Sequence, residues 1–187
     1  MTDGDAVVAV ANRLMDRFDV VVATQDWHPS GHGSFASVYG REPGEVAELN
    51  GLVQVLWPDH CVQGTAGAEF VKGLDVGKIN QVFQKGIDPA VDSYSGFFDN
   101  GRRGDTGLGA WLKAKGVTAV TVVGLATDYC VKFTALDAVA EGFDTTLVAE
   151  GIRGVELNAG DCEKAMREME KAGVTVVDEN DLAERTK

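Results

Sequence analysis

A cluster of metal-binding residue types lies near the start of the chain, where QDWHPSGH covers positions 25–32. Asp26 and His28 are two residues apart, so both side chains leave an extended segment on the same side. His60, in LWPDHCVQGT, could add a second imidazole, and His32 could complete or support the set. One carboxylate with two imidazoles suits zinc, iron(II) or manganese and leaves positions open for water or substrate. The alternative is a polar loop whose histidines only form hydrogen bonds.

Cys130 and Lys85 are the candidates for nucleophilic chemistry. Cys130 follows a strand and a tight turn in VVGLATDYCVKFTALDA, at a helix start where the macrodipole favours the thiolate. Backbone amides near Ala126 and Cys130 could bind an oxyanion. Lys85, directly after the segment INQVFQ, could supply the nearby cation that a nucleophilic thiol needs. The alternatives are a buried structural cysteine and a solvated surface lysine.

The bulk composition excludes several classes of protein. The 17 basic and 29 acidic residues give a formal net charge of -12, which argues against binding nucleic acid or an anionic membrane surface. No apolar run approaches the roughly 20 residues of a membrane span. The segment GDTGLG at 104–109 does not fit the dinucleotide-binding fingerprint. The three cysteines lack CxxC spacing, so we expect reduced thiols in a cytoplasm, with Cys61 and Cys162 structural.

Helical and strand patterns alternate along the chain, which predicts one α/β domain over 1–187 with a mainly parallel sheet covered by helices on both faces. The hydrophobic periodicity predicts helices over 5–18, 105–115, 129–141 and 161–172, and strands over 20–24, 78–84, 118–126, 144–149 and 174–177. Residues 25–77 are expected to be mostly loop. Each candidate motif follows a strand, and ligands bind at the carboxyl ends of such strands, so the motifs should converge.

Four motifs in this order resemble the bacterial nicotinamidase/pyrazinamidase group of the isochorismatase-like cysteine hydrolases: DWHPSGHGSF, WPDHCVQGT, KGIDPAVDSYSGFFDN and GLATDYCVKFTALDA. The resemblance extends from about residue 4 to residue 177. Isochorismatases and carbamoyl-amidases share the fold and the cysteine, but they generally lack the Asp–His–His set. The resemblance therefore implies a three-layer α/β/α hydrolase fold with a metal site.

The resemblance also assigns roles to single residues. It implies that Asp26, His28 and His60 are metal ligands, and that His32 matches a histidine that is a ligand only in some members. Cys130 matches the nucleophile and Lys85 the lysine of a Cys–Asp–Lys triad.

Further positions match the substrate-binding part of that family. The peptide between Leu125 and Ala126 matches a cis bond that shapes the oxyanion hole, and Leu125 is expected to lie near the substrate. Trp57 and Tyr94 match aromatic residues that flank the substrate ring.

The implied reaction is hydrolysis of nicotinamide, and also pyrazinamide, to the acid and ammonia through a cysteine thioester, as part of NAD salvage. The implied cofactor is a divalent metal, with zinc expected and iron or manganese as alternatives. Through its bound waters the metal would position the pyridine nitrogen. The partner is a small-molecule substrate, with no nucleic acid or membrane, while edge strands and an exposed Trp111 would permit a homo-oligomer.

One family feature does not occur in the chain: an opening strand that ends in D-x-Q-x-D-F, whose first Asp is the triad's base. By resemblance that strand lies in the middle of the sheet, so we expect an open slot, poor folding and little ammonia release from residues 1–187. We therefore expect that the sequence as given lacks its start and that the full protein would resemble an ordinary member of the nicotinamidase group. Two alternatives remain. One is a truncated, non-catalytic relative that keeps metal or ligand binding, and the other is a related amidase for another small carboxamide.

Overall fold

Two parallel sheets and one antiparallel hairpin contain the strands of the computed structural model, which describes residues 1–182. Positions 183–187 of the predicted domain lie outside the described residues. The strands are β1 Val22–Asp26, β2 Val46–Leu49, β3 Leu52–Val55, β4 Gln81–Lys85, β5 Ala119–Leu125, β6 Asp144–Arg153 and β7 Thr175–Val177. The helices are α1 Ala6–Met15, α2 Ala36–Tyr39, α3 Leu108–Ala114, α4 Lys132–Ala140 and α5 Asp161–Ala172, with 3₁₀ turns at Ala66–Ala68 and Val76–Lys78 and a π-helical turn at Thr127–Val131.

The pairing of β1 with β4 positions two of the candidate site residues. The two strands are parallel, and their register runs from Val22 opposite Gln81 to Asp26 opposite Lys85. The last residues of the two strands are therefore neighbours across the ladder, a carboxylate beside an amine. The second parallel sheet has the order β5-β6-β7, and β5 leads directly into the turn that holds Cys130.

Helices cover both faces of the β5-β6-β7 sheet. Leu147 and Val148 are consecutive residues of β6, and both are fully buried, so their side chains point to opposite faces. Leu147 packs in a cluster with residues of α4 and α5, including Ala135 and Met169. Val148 packs with Val10 and other apolar residues of α1. The predicted three-layer α/β/α arrangement is thereby confirmed.

The sheet is interrupted between β1 and β5. Within residues 1–182 no strand lies between them, and both strands line one cavity of about 390 Å³. Residues 22–24 of β1 and 120–125 of β5 contribute to its walls.

Several predicted boundaries are wrong for identifiable reasons. Helix α3 begins at Leu108 rather than at 105, because the backbone of Gly107 is left-handed, with φ 87°. The Gly107 N–H donates a hydrogen bond to the Asp105 carboxylate in this turn. Strand β6 continues to Arg153 instead of ending at 149. The helix expected from 129 starts as the π-helical turn and becomes α-helical at Lys132.

The hairpin of β2 and β3 lies in the region that was expected to be loop. Its two turn residues, Asn50 and Gly51, have φ values of 50° and 82°. Asn-Gly between apolar residues is a strong hairpin signal, because both positions of this turn require positive φ. The sequence ELNGLVQV therefore carried the signal for this hairpin.

The expectation of an exposed Trp111 is wrong. Its ring is partly buried and lies edge-on to Phe83 at a centroid distance of 5.9 Å, because α3 packs its apolar face onto β4. Among residues 1–182, no helix has both the length and the apolar character needed to cross a membrane.

Candidate active site

The Lys85 ammonium lies at the centre of the site, where the carboxyl ends of β1, β4 and β5 meet. Its Nζ contacts the Asp26 carboxylate, donates a hydrogen bond to the Ser93 carbonyl at 2.6 Å, and lies 3.4 Å from Cys130 Sγ. Lys85 is only 4% exposed. Burial alone would lower the pKa of Lys85, but the contact with the Asp26 carboxylate does most to outweigh burial and hold that pKa above its usual value. The predicted convergence of strand ends thus brings these side chains together.

The Cys130 thiol is not poised as a thiolate. Burial raises the pKa of Cys130 to about 11, and the Lys85 ammonium opposes the shift without cancelling it. The expectation of a thiolate favoured by the helix start is wrong, because the desolvation of Cys130 in the π-helical turn raises its pKa more than the Lys85 ammonium lowers it. The thiol therefore has to lose its proton before it can attack.

The turn that carries Cys130 is held at both ends. The Leu125–Ala126 peptide bond is cis, which confirms that expectation. The Ala126 carbonyl accepts hydrogen bonds from the N–H groups of Tyr129 and Val131, at 3.1 and 3.0 Å. The predicted oxyanion-hole residues, Ala126 and Cys130, are the cap and the fourth residue of this turn.

A buried carboxylate also anchors the same turn to the loop after β6. Asp128 is 5% exposed, and its two oxygens accept hydrogen bonds from the N–H groups of Val155 and Glu156, at 2.9 and 2.8 Å. The turn is therefore fixed on the side away from β1 as well.

Asp26, His28 and His60 form a set of donors that fits a divalent metal ion. One ligand atom from each residue lies within 4.8 Å of those of the others. Nδ1 of His28 lies 2.9 Å from the Gly86 carbonyl, and Nδ1 of His60 lies 2.8 Å from the Pro58 carbonyl. Each Nδ1 therefore carries the proton, and each Nε2 keeps a lone pair for a metal.

Two further observations agree with that fit. Asp26 Oδ1 is buried and receives no well-aligned hydrogen bond, although it lies against Lys85. Burial lowers the pKa of His28, which favours the neutral imidazole that can bind a metal.

His32 is differently placed from the other two histidines. It is fully buried, with Nδ1 2.8 Å from Ser34 Oγ and Nε2 2.9 Å from the Asp88 carbonyl. A second group of potential ligand atoms, from His28, His32 and Asp92, also lies within 4.8 Å. Since both ring nitrogens of His32 already have protein partners, its ring is better suited to supporting His28, at a centroid distance of 4.4 Å.

Aromatic rings form one wall beside the Cys130 turn. Trp57 Nε1 donates to Tyr94 Oη at 3.3 Å, and the Tyr129 ring lies 4.7 Å from that of Trp57 and 5.3 Å from that of Tyr94. Gln54 Nε2 also donates to Tyr94 Oη, at 3.2 Å. Leu125, at the end of β5, is 43% exposed and able to contact a ligand.

Sequence reasoning missed two members of this wall. Tyr129 precedes Cys130 directly and could have been found from that position alone. Gln54 is a polar residue in the apolar run LVQV, yet it is only 2% exposed, and a buried amide of this kind marks a specific hydrogen-bond network.

The Isochorismatase domain model matches residues 1–181 of the chain. The chain belongs to the isochorismatase family. It is 50% identical over 178 residues to a nicotinamidase of Escherichia coli, which covers 93% of this chain and 84% of that protein.

Solved structures of related proteins agree with this family fold. A nicotinamidase/pyrazinamidase of Acinetobacter baumannii superposes with a TM-score of 0.93 at 43% identity, covering 97% of this chain and 87% of that one. A pyrazinamidase of Pyrococcus horikoshii in complex with zinc gives a TM-score of 0.76 at 34% identity, covering 95% and 88%. This isochorismatase-family chain is thus similar to hydrolases of the amidase type along most of its length.

Gly86 offers a test of how the backbone positions His28, a candidate metal ligand. A Cβ at Gly86 would come within 2.6 Å of His28 Nδ1, so Gly86→Ala must displace the imidazole. We expect the variant to bind Zn²⁺ about 10- to 100-fold more weakly, as is usual when the outer support of a ligand is lost. Competition with a chromophoric chelator measures this affinity.

Gly31→Ala is the matched control for this change. Gly31 also has positive φ, 71° against 64° for Gly86, but a Cβ there meets nothing within 4 Å. Both variants therefore place an alanine at positive φ, and only Gly86→Ala also brings a Cβ against His28. Equal zinc affinity in the two variants would contradict the role of Gly86.

The electrostatic link between Lys85 and Cys130 predicts the pH dependence of thiol reactivity. Since the pKa of Cys130 is about 11, the iodoacetamide alkylation rate should rise about tenfold per pH unit from pH 7 to 9, without a plateau. Lys85→Met removes the cation that lowers this pKa, so alkylation at pH 8 should slow by about tenfold or more. Mass spectrometry of the peptide containing Cys130 measures both rates.

Lys132→Met provides the control, because Lys132 follows Cys130 by two residues but pairs with Glu168 instead. We expect its effect on the Cys130 rate to be less than about twofold. A plateau below pH 9, or no slowing in Lys85→Met, would show that Lys85 does not govern the thiol.

Proposed function

We propose that this protein hydrolyses nicotinamide to nicotinate and ammonia through a thioester on Cys130. The observation that carries the proposal is the contact of Cys130 with the buried Lys85, which pairs with the half-buried Asp26 next to His28 and His60. The 50% identity to a nicotinamidase supports the same substrate. Nicotinate is a precursor of pyridine nucleotides, so the reaction fits NAD salvage.

The chemistry divides into acylation and deacylation. Cys130 Sγ attacks the carboxamide carbon, the thiol proton passes to the amide nitrogen, and ammonia leaves. The backbone amides of Ala126 and Cys130 are proposed to stabilise the tetrahedral oxyanion. Water then cleaves the thioester, which releases nicotinate and restores the thiol.

Deprotonation of the Cys130 thiol is expected to limit the rate, given its contacts within residues 1–182. The hydrogen-bond partner of Cys130 Sγ in this part of the chain is Lys85, and an ammonium group cannot accept a proton. Because burial raises the pKa of Cys130 to about 11, the thiol is protonated at pH 7. A general base typically contributes about 10²–10⁴ in rate, so we expect slow turnover wherever no such base is supplied.

The substrate ring is proposed to bind between the aromatic wall and the metal ligands. Trp57 and Tyr94 offer ring faces and edges for stacking, and Leu125 adds an apolar contact at the strand end. Asp26, His28 and His60 would hold the divalent metal, and His32 would support them. When bound, the metal supplies a positive centre that orients the pyridine nitrogen through coordinated water.

Zinc is the proposed metal, with iron and manganese as alternatives. One carboxylate and two imidazoles are borderline ligands that suit all three ions. The zinc bound by the Pyrococcus horikoshii pyrazinamidase favours zinc here. Pyrazinamide is a second proposed substrate, because one of its two ring nitrogens is meta to the carboxamide, as in nicotinamide.

A non-catalytic, ligand-binding role is the second candidate. It is favoured by the raised pKa of Cys130 and by the lack of a proton acceptor in its contact with Lys85. This role predicts metal binding and nicotinamide binding without ammonia release. A related amidase for another small carboxamide predicts release of ammonia that nicotinamide inhibits only weakly.

Replacing the nucleophile tests the proposed function. With zinc bound and nicotinamide as substrate, Cys130→Ala should lower ammonia release by about 10³-fold or more, since no thioester can form. A coupled ammonia assay measures turnover, and mass spectrometry after rapid acid quench should detect a nicotinoyl adduct on Cys130 in the unmodified protein.

Cys162→Ala is the matched control, because Cys162 lies in α5 and contacts Glu156 and Gly154 rather than the site. Its turnover should match that of the unmodified protein. Ammonia release that survives in Cys130→Ala would contradict the thioester route, and zinc binding without any release would favour the non-catalytic role.

A further inference from the structure

Gln54 is a buried amide whose nitrogen serves more acceptors than it has N–H groups. It lies on the buried face of β3. Its Nε2 donates to the Val55 carbonyl at 2.7 Å, to Asp92 Oδ2 at 2.8 Å and to Tyr94 Oη at 3.2 Å. A carbonyl and a carboxylate can only accept, so these partners fix which end of the amide points into the network. At least one N–H is therefore shared between two acceptors.

Gln54 and Trp57 hold the Tyr94 hydroxyl together. Trp57 Nε1 also donates to Tyr94 Oη, at 3.3 Å, so both lone pairs of that oxygen are engaged. The Trp57 and Tyr94 rings lie edge-to-face, with their centroids 6.4 Å apart. The backbone of Tyr94 is held separately, since its N–H donates to Asn100 Oδ1 at 2.9 Å. The backbone bond places the residue, whereas the two bonds to Oη restrict how its ring can turn.

The Asp92 carboxylate explains why an amide suits position 54. Asp92 is buried, and its Oδ1 accepts the Ser93 N–H at 2.8 Å while Oδ2 accepts Gln54. The Ser93 carbonyl in turn accepts the hydrogen bond from Lys85 Nζ. Residues 92–94 are thereby tied to the β2-β3 hairpin by Gln54 and to β4 by Lys85. An apolar side chain in place of Gln54 would leave Asp92 Oδ2 without this donor, which is unfavourable in a buried position.

We propose that Gln54 is a positioning residue for ligand binding, which sets the orientation of the Tyr94 ring against Trp57 and thereby the affinity of the site for a flat pyridine ring. This inference rests on the proposed function, because it takes the aromatic wall as the surface that binds the substrate ring. Gln54 acts through Tyr94 rather than on the reacting atoms at Cys130. A wall whose rings are already fixed binds a flat ligand without further loss of side-chain freedom, and this favours binding.

Replacement of the amide by an apolar side chain of similar length tests this role. In the zinc-loaded full chain, Gln54→Met should raise the dissociation constant of nicotinate by about tenfold, because Tyr94 loses one of its two anchors. Isothermal titration calorimetry measures this constant, and nicotinate is used because it is the product of the proposed reaction and is not consumed.

Gln81→Met is the matched control. Gln81 also donates from Nε2 to the carbonyl of the next residue, Val82, but it lies at the exposed start of β4. Its replacement should leave the dissociation constant of nicotinate unchanged within about twofold.

A double-mutant cycle separates positioning from a purely structural effect. Tyr94→Phe keeps the ring but removes Oη, so it should also weaken nicotinate binding by about tenfold. If Gln54 acts through that oxygen, adding Gln54→Met to Tyr94→Phe should change the constant by less than about twofold further. Iodoacetamide has no ring, so its rate at Cys130 should differ by less than about twofold between Gln54→Met and the unmodified protein. General loosening of the site would change that rate.

Three results would overturn this inference alone. They are unchanged nicotinate affinity in Gln54→Met, unchanged affinity in Tyr94→Phe, and additive losses in the double variant. No nicotinate binding by the unmodified zinc-loaded protein would instead overturn the proposed function, and this inference with it. Tyr94→Phe keeps the test decisive if Gln54→Met folds poorly, because it leaves the hydrogen bond between Gln54 and Asp92 in place.

Discussion

The buried ammonium of Lys85 is the interaction on which the arrangement of this site depends. An ammonium group that leaves water without partners is strongly destabilising, so a lysine with 4% exposure must be paired. Its partners come from three separate parts of the chain: Asp26 at the end of β1, the Ser93 carbonyl in the loop after β4, and Cys130 after β5. The same contacts that satisfy the charge of Lys85 bring the Cys130 thiol and the Asp26 carboxylate, a proposed metal ligand, to one point.

The candidate site combines side chains from two separate sheets. Asp26 and Lys85 belong to the β1-β4 sheet, and Cys130 belongs to the end of the β5-β6-β7 sheet. Between these sheets the backbone ladder is interrupted, so the Lys85–Cys130 contact crosses a gap without a main-chain hydrogen bond beside it.

Sequence reasoning located most of the site but not its electrostatics. Strand ends could be predicted because β-branched runs are followed by Asp26, Lys85 and the Cys130 turn, and parallel strands bring such ends together. The β2-β3 hairpin could also have been predicted from its Asn50–Gly51 turn, although we expected a loop there. The raised pKa of Cys130 could not be predicted, because it depends on desolvation by residues distant in sequence. The second hydrogen bond of His32, to the Asp88 carbonyl, is likewise a contact that no spacing reveals.

Crystals grown with zinc and nicotinate would test directly whether Asp26, His28 and His60 hold the metal. The measurement is an anomalous difference map at the zinc absorption edge. We expect one strong peak bonded to Asp26 and to Nε2 of His28 and His60, with Lys85 still between Asp26 and Cys130. A peak bonded instead by His28, His32 and Asp92, or no peak among these residues, would contradict it.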